Sequence, residues 1–381
     1  MKSCDIIIPI YNQPELTKEC VHSIIDSTHI PINIILIDNA SNSATKTVIK
    51  SFIPQENVQI TAIENTTNIG FPKAVNQGLG ISTAPYVLVL NNDTLFTNNC
   101  LETMIDVAQS SPDIGILNPE SNTFGLVPYK DKTIQECAQR IQNQKLQYTE
   151  FSNCIGFAML IKREIIEKIG HFDELFGMAF FEDSDYSMRV KEAGYKCVKA
   201  NGAYIYHYEH KSLYHFSARD ALFKKNQRIY YKKWGIPLRI ALPITQKQSE
   251  NQEELKNLFQ DIRTLAKNEC YIYAIVASKN IKDKNHLFAT LNLPVTTNIH
   301  VYIYTPFLFW LKTVFRIVKR RKKKYNLILT YDSSMAHFLA RCSLFVRYPI
   351  FFNGKATTQS SRIRQVSNIQ DVISLKKEYN T

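Results

Sequence analysis

Cys4-Asp5-Ile6-Ile7-Ile8-Pro9-Ile10, followed by Tyr11-Asn12, is a nearly continuous apolar run that turns polar at its end. Apolar residues at successive positions, without alternation, mark a strand buried on both faces, as in a parallel sheet covered by helices. The residues that follow supply the helix: 14–27 places Leu16, Cys20, Ile24 and Ile25 on one side. The alternation then repeats. Strands are expected at 33–38, 58–64, 86–91 and 114–117. Helices are expected at 41–52, at 70–83 with Pro72 in a tolerated first-turn position, and at 99–111 with Leu101, Met104, Ile105 and Ala108 on its apolar face. This order predicts an α/β fold with a mostly parallel sheet and right-handed crossovers.

Sheets of that kind bind ligands beyond the C-terminal ends of their strands. Polar groups gather there: Pro9-Ile10-Tyr11-Asn12, Asp38-Asn39-Ala40-Ser41, Asn68-Ile69-Gly70-Phe71 and Asn91-Asn92-Asp93. Each group alone is ordinary turn chemistry; four on one sheet edge point to a shared ligand site. The first turn has no G-x-G-x-x-G and the chain has no G-x-x-x-x-G-K-[ST], which disfavours dinucleotide and P-loop folds. Tyr11 offers a flat face for a base. Asp38 can accept from a base N–H or a ribose hydroxyl. Asp93 can hold a hard divalent cation against phosphate oxygens.

A second stretch, Phe180-Phe181-Glu182-Asp183-Ser184-Asp185-Tyr186, runs two aromatics into an acidic group. A helical pattern follows to Ala193 and closes at Gly194. Glu182 and Asp183 therefore fall at or just before a helix N-terminus, with Ser184 or Asp185 available to cap it. A carboxylate oriented and kept ionised there suits a general base. The plain alternative is a capped surface helix.

The 381 residues have room for two domains, and 45% are apolar. No run of about eighteen apolar residues appears, so no spanning helix is expected. Residues 6–10 read as a strand, without a signal-peptide core. The eight cysteines form no C-x-x-C pair, so neither a zinc site nor a disulfide framework is suggested, and a cytosolic setting with reduced thiols is expected. The net charge of +12 suggests an anionic partner: nucleic acid, a phosphorylated substrate or an acidic membrane.

In order along the chain, IIIPIYNQ, ILIDNAS, NIGFPKAVNQGL, LVLNNDT, GFAMLIKREIIEKIGHFDELF, FFEDSDYSMRVKEAGYK and YHYEHKS resemble family 2 glycosyltransferases of the GT-A fold. The likeness is to the rhamnosyltransferase-like, bacterial cell-surface polysaccharide branch, and it covers roughly residues 3 to 235. It implies that Pro9, Tyr11, Asn12 and Asp38 hold base and ribose, and that Asn68, Gly70 and Phe71 lie near the nucleotide. Asn91-Asn92-Asp93 stands where the family carries D-x-D, which makes Asp93 the direct ligand of Mg²⁺ or Mn²⁺ and leaves one carboxylate where the family has two. His207, or His210 three residues on, completes that metal site. Glu182 and Asp183 match the family's acidic pair, with Asp183 the base. Gly156 and Asp185 fall on the acceptor side. Residues 119–152, polar and Gln-rich, resemble an insertion over the active-site face that tunes acceptor choice. The implied activity is inverting transfer from a UDP- or dTDP-sugar to a glycan or lipid-linked acceptor. The rival readings are a non-catalytic nucleotide-sugar or glycan binder with a degenerate site and a nucleic-acid-binding protein; the first half carries no nucleic-acid motif.

The expected division is a glycosyltransferase domain over 1–240, a polar linker with one helix over 241–268, and an α/β region of unassigned role over 269–381. In the last, strands are expected at 271–277, 300–304, 327–330 and 348–352, and a helix at 335–345. Residues 218–234 read as a basic, aromatic helix, either a solvated face or a contact with a membrane or phosphorylated acceptor. Residues 306–325 join Phe307-Leu308-Phe309-Trp310-Leu311 to a dense basic run from Lys319 to Lys324. That suits a helix on an anionic bilayer, at the cytoplasmic face of a membrane. A core helix with a solvated basic end fits the same composition.

Overall fold

The computed structural model describes residues 2–128, 132–209, 219–293, 296–319, 324–354 and 360–379. The chain divides into two compact units, Met1–Tyr230 and Tyr231–Thr381.

In the first unit the elements run β1 (Cys4–Ile10), α1 (Pro14–Ser27), β2 (Ile32–Asp38), α2 (Ser43–Ser51), β3 (Val58–Glu64), α3 (Phe71–Ile81) and β4 (Tyr86–Leu90). They continue with β5 (Thr94–Phe96), α4 (Cys100–Gln109), β6 (Ile114–Glu120), α5 (Ile134–Gln139), β7 (Tyr148–Glu150), β8 (Ala158–Lys162), α6 (Arg163–Ile169), α7 (Glu182–Glu192), β9 (Lys196–His207) and α8 (Arg219–Trp234). The sheet order is β3-β2-β1-β4-β8-β6-β9-β5, with β7 also paired to β9. The strands β3, β2, β1 and β4 are parallel. Between β4 and β6, β8 runs antiparallel to both, and β9 lies parallel to β6. This is the mixed α/β, largely parallel class that the sequence predicts.

The central strand is buried on both faces, as its unbroken apolar run requires. Ile6, Ile8 and Ile10 pack into one core with α1 and α4, while Ile7 enters the other with Ile35, Ile37 and Val75. The segment expected as an insertion adds β7 beside β9 and packs Cys137, Ala138 and Ile141 around Tyr204.

The second unit carries β10 (Arg239–Ile244), α9 (Gln246–Glu250), α10 (Gln252–Lys267), β11 (Tyr271–Ala277), α11 (Lys284–Thr290), β12 (Ile299–Tyr304), α12 (Phe309–Val318), β13 (Leu327–Thr330), α13 (Ser333–Arg341), β14 (Ile350–Asn353), β15 (Ile363–Val366) and α14 (Ile369–Glu378). Its six strands are all parallel, in the order β12-β11-β10-β13-β14-β15. Residues 241–268, expected as a linker with one helix, hold most of the buried central strand β10 and two helices. The longer helix, α10, buries Leu255, Leu258, Phe259, Ile262, Leu265 and Ala266, an i, i+3, i+4, i+7 face beneath a polar exterior. The sheet also includes β15, which the sequence reading did not anticipate.

The eight cysteines are free thiols, seven of them buried. Among the described residues no helix is long and apolar enough to cross a membrane.

Candidate active site

The two neighbours β1 and β4 send their crossovers to different parts of the sheet, and their C-terminal ends open on a cavity of about 550 Å³. Pro9 and Tyr11 line it from β1, Asn39 from the turn after β2, Asn68 and Phe71 from the turn into α3, and Asn91, Asn92 and Asp93 from the end of β4. The opposite wall is Gly156 and Phe157 with Phe180, Phe181, Glu182, Asp183 and Ser184. His207 closes one side, and Arg219 and Phe223 of α8 another. Residues as distant in sequence as Pro9 and His207 thus meet in one space.

Asp93 and His207 form a pair on the cavity wall, with His207 Nε2 3.1 Å from Asp93 Oδ1. The backbone fixes them: β5 and β9 pair with Thr94 opposite His207, and Tyr208 N–H donates to the Asp93 carbonyl at 2.9 Å. Asn122 holds His207 from behind, accepting from its backbone N–H and donating to its carbonyl, both at 2.8 Å. Phe157 stacks on the imidazole at 4.9 Å, and Thr123 Oγ1 lies 3.2 Å from Nδ1. That hydroxyl can accept from an Nδ1–H, the tautomer that leaves Nε2 free to ligate a metal. One carboxylate oxygen and one imidazole nitrogen side by side fit Mg²⁺ or Mn²⁺. Such ions keep several waters and complete their shell with substrate phosphates. Among the described residues no group of three or more acidic, His or Cys side chains converges as a self-sufficient metal cage. His210 lies outside the described residues.

Glu182 and Asp183 are the first two residues of α7. Asp183 is held at both oxygens: Oδ2 accepts from Gly156 N–H at 3.0 Å, and Oδ1 accepts from Ser184 N–H at 2.6 Å and lies 3.3 Å from the Ser184 hydroxyl. No side chain caps α7, so Ser184 braces the carboxylate beside it and Asp185 points elsewhere. Burial raises the Asp183 carboxyl above its ordinary value, and these hydrogen bonds pull against it. Burial, reinforced by the Asp183 charge, pushes Glu182 up to about 8, and its Oε2 is buried without a partner. The two carboxyls titrate as a pair, and Glu182, which lacks the donors that hold Asp183, is the member that burial most favours in its protonated form.

The chain enters α7 through two phenylalanines with left-handed backbones, Phe180 at φ +75° and Phe181 at φ +73°. Bulky residues avoid that region, so the turn must be held from outside. The buried side chain of Asn226 on α8 donates to the carbonyls of Phe176 at 2.6 Å, Ala179 at 2.7 Å and Phe180 at 3.2 Å. Phe223 and Tyr230 pack on the two rings from the same helix face. Gly70 permits a second brace. Its φ is +87°, a Cβ there would lie 2.5 Å from the Gly177 carbonyl oxygen, and the adjoining Phe71 N–H donates to the Met178 carbonyl at 2.9 Å.

Of the expected site residues, Asn12, Asp38, Gly70 and Asp185 lie outside the cavity lining. Asn12 accepts from Asn42 N–H and so ties the β1 turn to the β2 turn. Asp38 Oδ1 caps Ser41 N–H while its buried Oδ2 has no partner, an acceptor left for a ligand hydroxyl or N–H. Gly70 serves the close approach above. Asp185 is fully buried and paired with Arg189 Nε at 3.0 Å; Arg189 in turn ties down the carbonyls of Ile169 and His171. The sequence reading missed Asn39, Asn226, Arg219, and Asn122 with Thr123. Asn39, in the polar turn after β2, donates to Asn68 Oδ1 and the Gly70 carbonyl and accepts from Ile69 N–H. Asn226 carries no signal beyond being a polar residue on an otherwise aromatic helix face.

The strand-end cavity thus brings together a fixed carboxylate, Asp183, and an Asp–His pair, Asp93 and His207. Residues 5–170 match the sequence model of Glycosyl transferase family 2, and this part of the chain is a domain of that family. The match stops short of α7, so Glu182 and Asp183 rest on the geometry. Similar curated proteins include glycosyltransferase GlyG of Streptococcus pneumoniae, 27% identical over 44% of this chain and 58% of its own length. Poly-beta-1,6-N-acetyl-D-glucosamine synthase of Staphylococcus epidermidis is 22% identical over 45% of this chain and 42% of its own. The chain thus spans about half the length of the relatives it matches. Among solved structures, a Pyrobaculum calidifontis mannosyltransferase in complex with GDP-Man and Mn²⁺ is 18% identical over 60% of this chain and 61% of its own, with a TM-score of 0.43.

Proposed function

We propose that this protein is an inverting glycosyltransferase of cell-surface polysaccharide synthesis, moving a sugar from a nucleotide diphosphate to a glycan or lipid-linked hydroxyl. The observation that carries the reading is the single cavity onto which both the Asp93–His207 pair and the oriented Asp183 carboxylate open. Tyr11 supplies a face for the base, Asp38 an unsatisfied oxygen for ribose or base, and Arg219 a permanent positive charge on the wall. Asp93 and His207 hold Mg²⁺ or Mn²⁺, which when bound neutralises charge on the departing diphosphate. Asp183 takes the acceptor hydroxyl's proton as its oxygen attacks the anomeric carbon from the face opposite the diphosphate. The bond to the diphosphate breaks and the configuration inverts. Protonated Glu182 leaves Asp183 as the one ionised carboxylate of the pair. A glycosidase would need its two carboxyl groups on either side of the scissile bond; two adjacent residues opening one helix on one wall do not provide that.

The exposed side of α12 supports a place on a membrane. Phe309, Thr313 and Ile317 of α12 are buried, while Leu311 and Phe315, with Phe307 just before the helix, are 68%, 69% and 92% exposed, and Lys312 and Arg316 add positive charge to the same helix. Lys319 and Lys324 flank the basic run, and residues 320–323 lie outside the described residues. This suits reversible contact with the anionic cytoplasmic face. The test of the activity is a panel of nucleotide-sugar donors with Mn²⁺ or Mg²⁺, reading released nucleoside diphosphate. Release that chelator abolishes and metal restores is expected; full release in chelator would remove the metal role, and no release from any donor would remove the transferase reading.

A further inference from the structure

The second unit has its own crevice. Its strands follow the order in which doubly wound, dinucleotide-binding sheets are built, with the first and fourth strands, β10 and β13, side by side at the point where the winding reverses. Ligands of such sheets sit beyond the C-terminal ends of those two strands. Here the ends are joined by Thr245 Oγ1 and Asp332 Oδ2 at 3.0 Å. A cavity of about 360 Å³ opens beside them, lined by Gln248, Asn251 and Asn257, by Glu253, Glu254 and Asp261, and by Leu258 and Tyr331. Gln248 lies on α9 after β10, Glu253 to Asp261 lie along α10, and Tyr331 directly follows β13, so the cavity runs along α10 with Tyr331 at its β13 edge.

Its chemistry excludes the usual occupant. The turn after β10, Thr245-Gln246-Lys247-Gln248-Ser249, has no glycine to let a pyrophosphate approach the backbone. The described lining residues include three carboxylates and no Lys, Arg or His, which repels any phosphorylated ligand. Nor do these acids make a metal cage, since no group of three or more acidic, His or Cys side chains converges among the described residues. What remains is an array of amide and carboxylate groups around a Tyr ring and a Leu side chain. One member is unsatisfied. Gln248 is 2% exposed; its Oε1 accepts from Thr245 N–H at 3.1 Å, and its buried Nε2 has no partner. A buried amide donor without a partner, on a residue that lines a pocket otherwise rich in acceptors, calls for a ligand that both accepts and donates. Tyr331 is held in place by its own hydroxyl, which donates to Asp261 Oδ2 at 2.9 Å.

We propose that this crevice binds a neutral saccharide, with the Gln248 amide donating to a ring or hydroxyl oxygen and the carboxylates accepting from hydroxyl protons. Its volume suits a short stretch of sugar residues. The proposal does not depend on the reaction of the first unit. The experiment is ligand-observed saturation-transfer NMR on the full chain, using neutral oligosaccharides of glucose, mannose and N-acetylglucosamine, with inorganic phosphate and Mg²⁺ as competitors. The expected result is binding of at least one oligosaccharide that neither competitor displaces. Gln248→Leu and Glu254→Gln should each lose it roughly tenfold or more, while Asp93→Asn leaves it unchanged. Circular dichroism checks that each variant is folded, and exposed Glu254 serves if Gln248→Leu does not fold. No binding by any oligosaccharide, binding displaced by phosphate, or binding lost in Asp93→Asn and kept in both crevice variants would overturn the proposal.

Discussion

Glu182 and Asp183 are adjacent and chemically alike, yet their surroundings differ. Asp183 gains two backbone donors and a hydroxyl; Glu182 gains burial and a negative neighbour. Glu182 has an ordinary value of 4.5 and a folded-state value of about 8. Between them the unfolded chain has lost this proton and the folded chain keeps it, so stability falls as pH rises through that window, by up to about 1.4 kcal/mol per pH unit. Glu182→Gln removes the titration. Denaturant melts should find the variant close to wild type near pH 4.5 and more stable near pH 8; equal midpoints at the upper pH would contradict the assignment. On the other wall, Thr123 acts through His207. Thr123→Val removes the oxygen facing Nδ1 and should weaken Mn²⁺ binding roughly 10- to 100-fold without unfolding the protein. Isothermal titration checks it, and unchanged affinity would mean that Thr123 does not orient the ring.

At the scale of elements, α8 decides the shape of the turn that leads into α7. Its charges suggest a solvated helix, and Phe223, Asn226 and Tyr230, spaced i, i+3, i+7, form the face that clamps two left-handed phenylalanines. Asn226→Leu deletes an amide whose two N–H groups serve three carbonyls, at about 1 kcal/mol net per N–H. The expected outcome is a lower melting midpoint and a fall in kcat with donor affinity retained, because α7 loses its register while the β1 and β4 ends do not. A variant with reduced donor affinity and unchanged kcat would place Asn226 elsewhere in the account. This clamp was not legible in the sequence, since its partners are backbone carbonyls, which no pattern of side chains announces. The strand ends were legible for the opposite reason. Buried parallel strands write themselves as apolar runs, and where each run stops, at Asn12, Asp38 and Asn91, the polar residues mark the sheet edge. The missed strand β10 carries Pro243 and follows Pro237, which hides a buried strand among turn signals.

At the scale of the whole molecule, the second unit carries the surface that faces a membrane in this account. Its α12 exposes a row of large apolar side chains, each worth roughly 1.5–3 kcal/mol if buried. Basic residues near an anionic surface add on the order of 1 kcal/mol each. Wild type should co-sediment with anionic liposomes at low salt and less so at high salt. Replacing the basic residues of 319–324 with Gln, or Leu311 and Phe315 with Ser, should release it; sedimentation unchanged in both variants would assign α12 to the core alone. The central claim concerns the first unit. It is tested most directly by the rate at which Asp183→Asn releases nucleoside diphosphate from a donor that the wild-type protein turns over, with donor binding measured alongside. The account predicts intact donor binding and a loss of turnover of roughly 10² or more. A folded Asp183→Asn protein that turns over at the wild-type rate would contradict it.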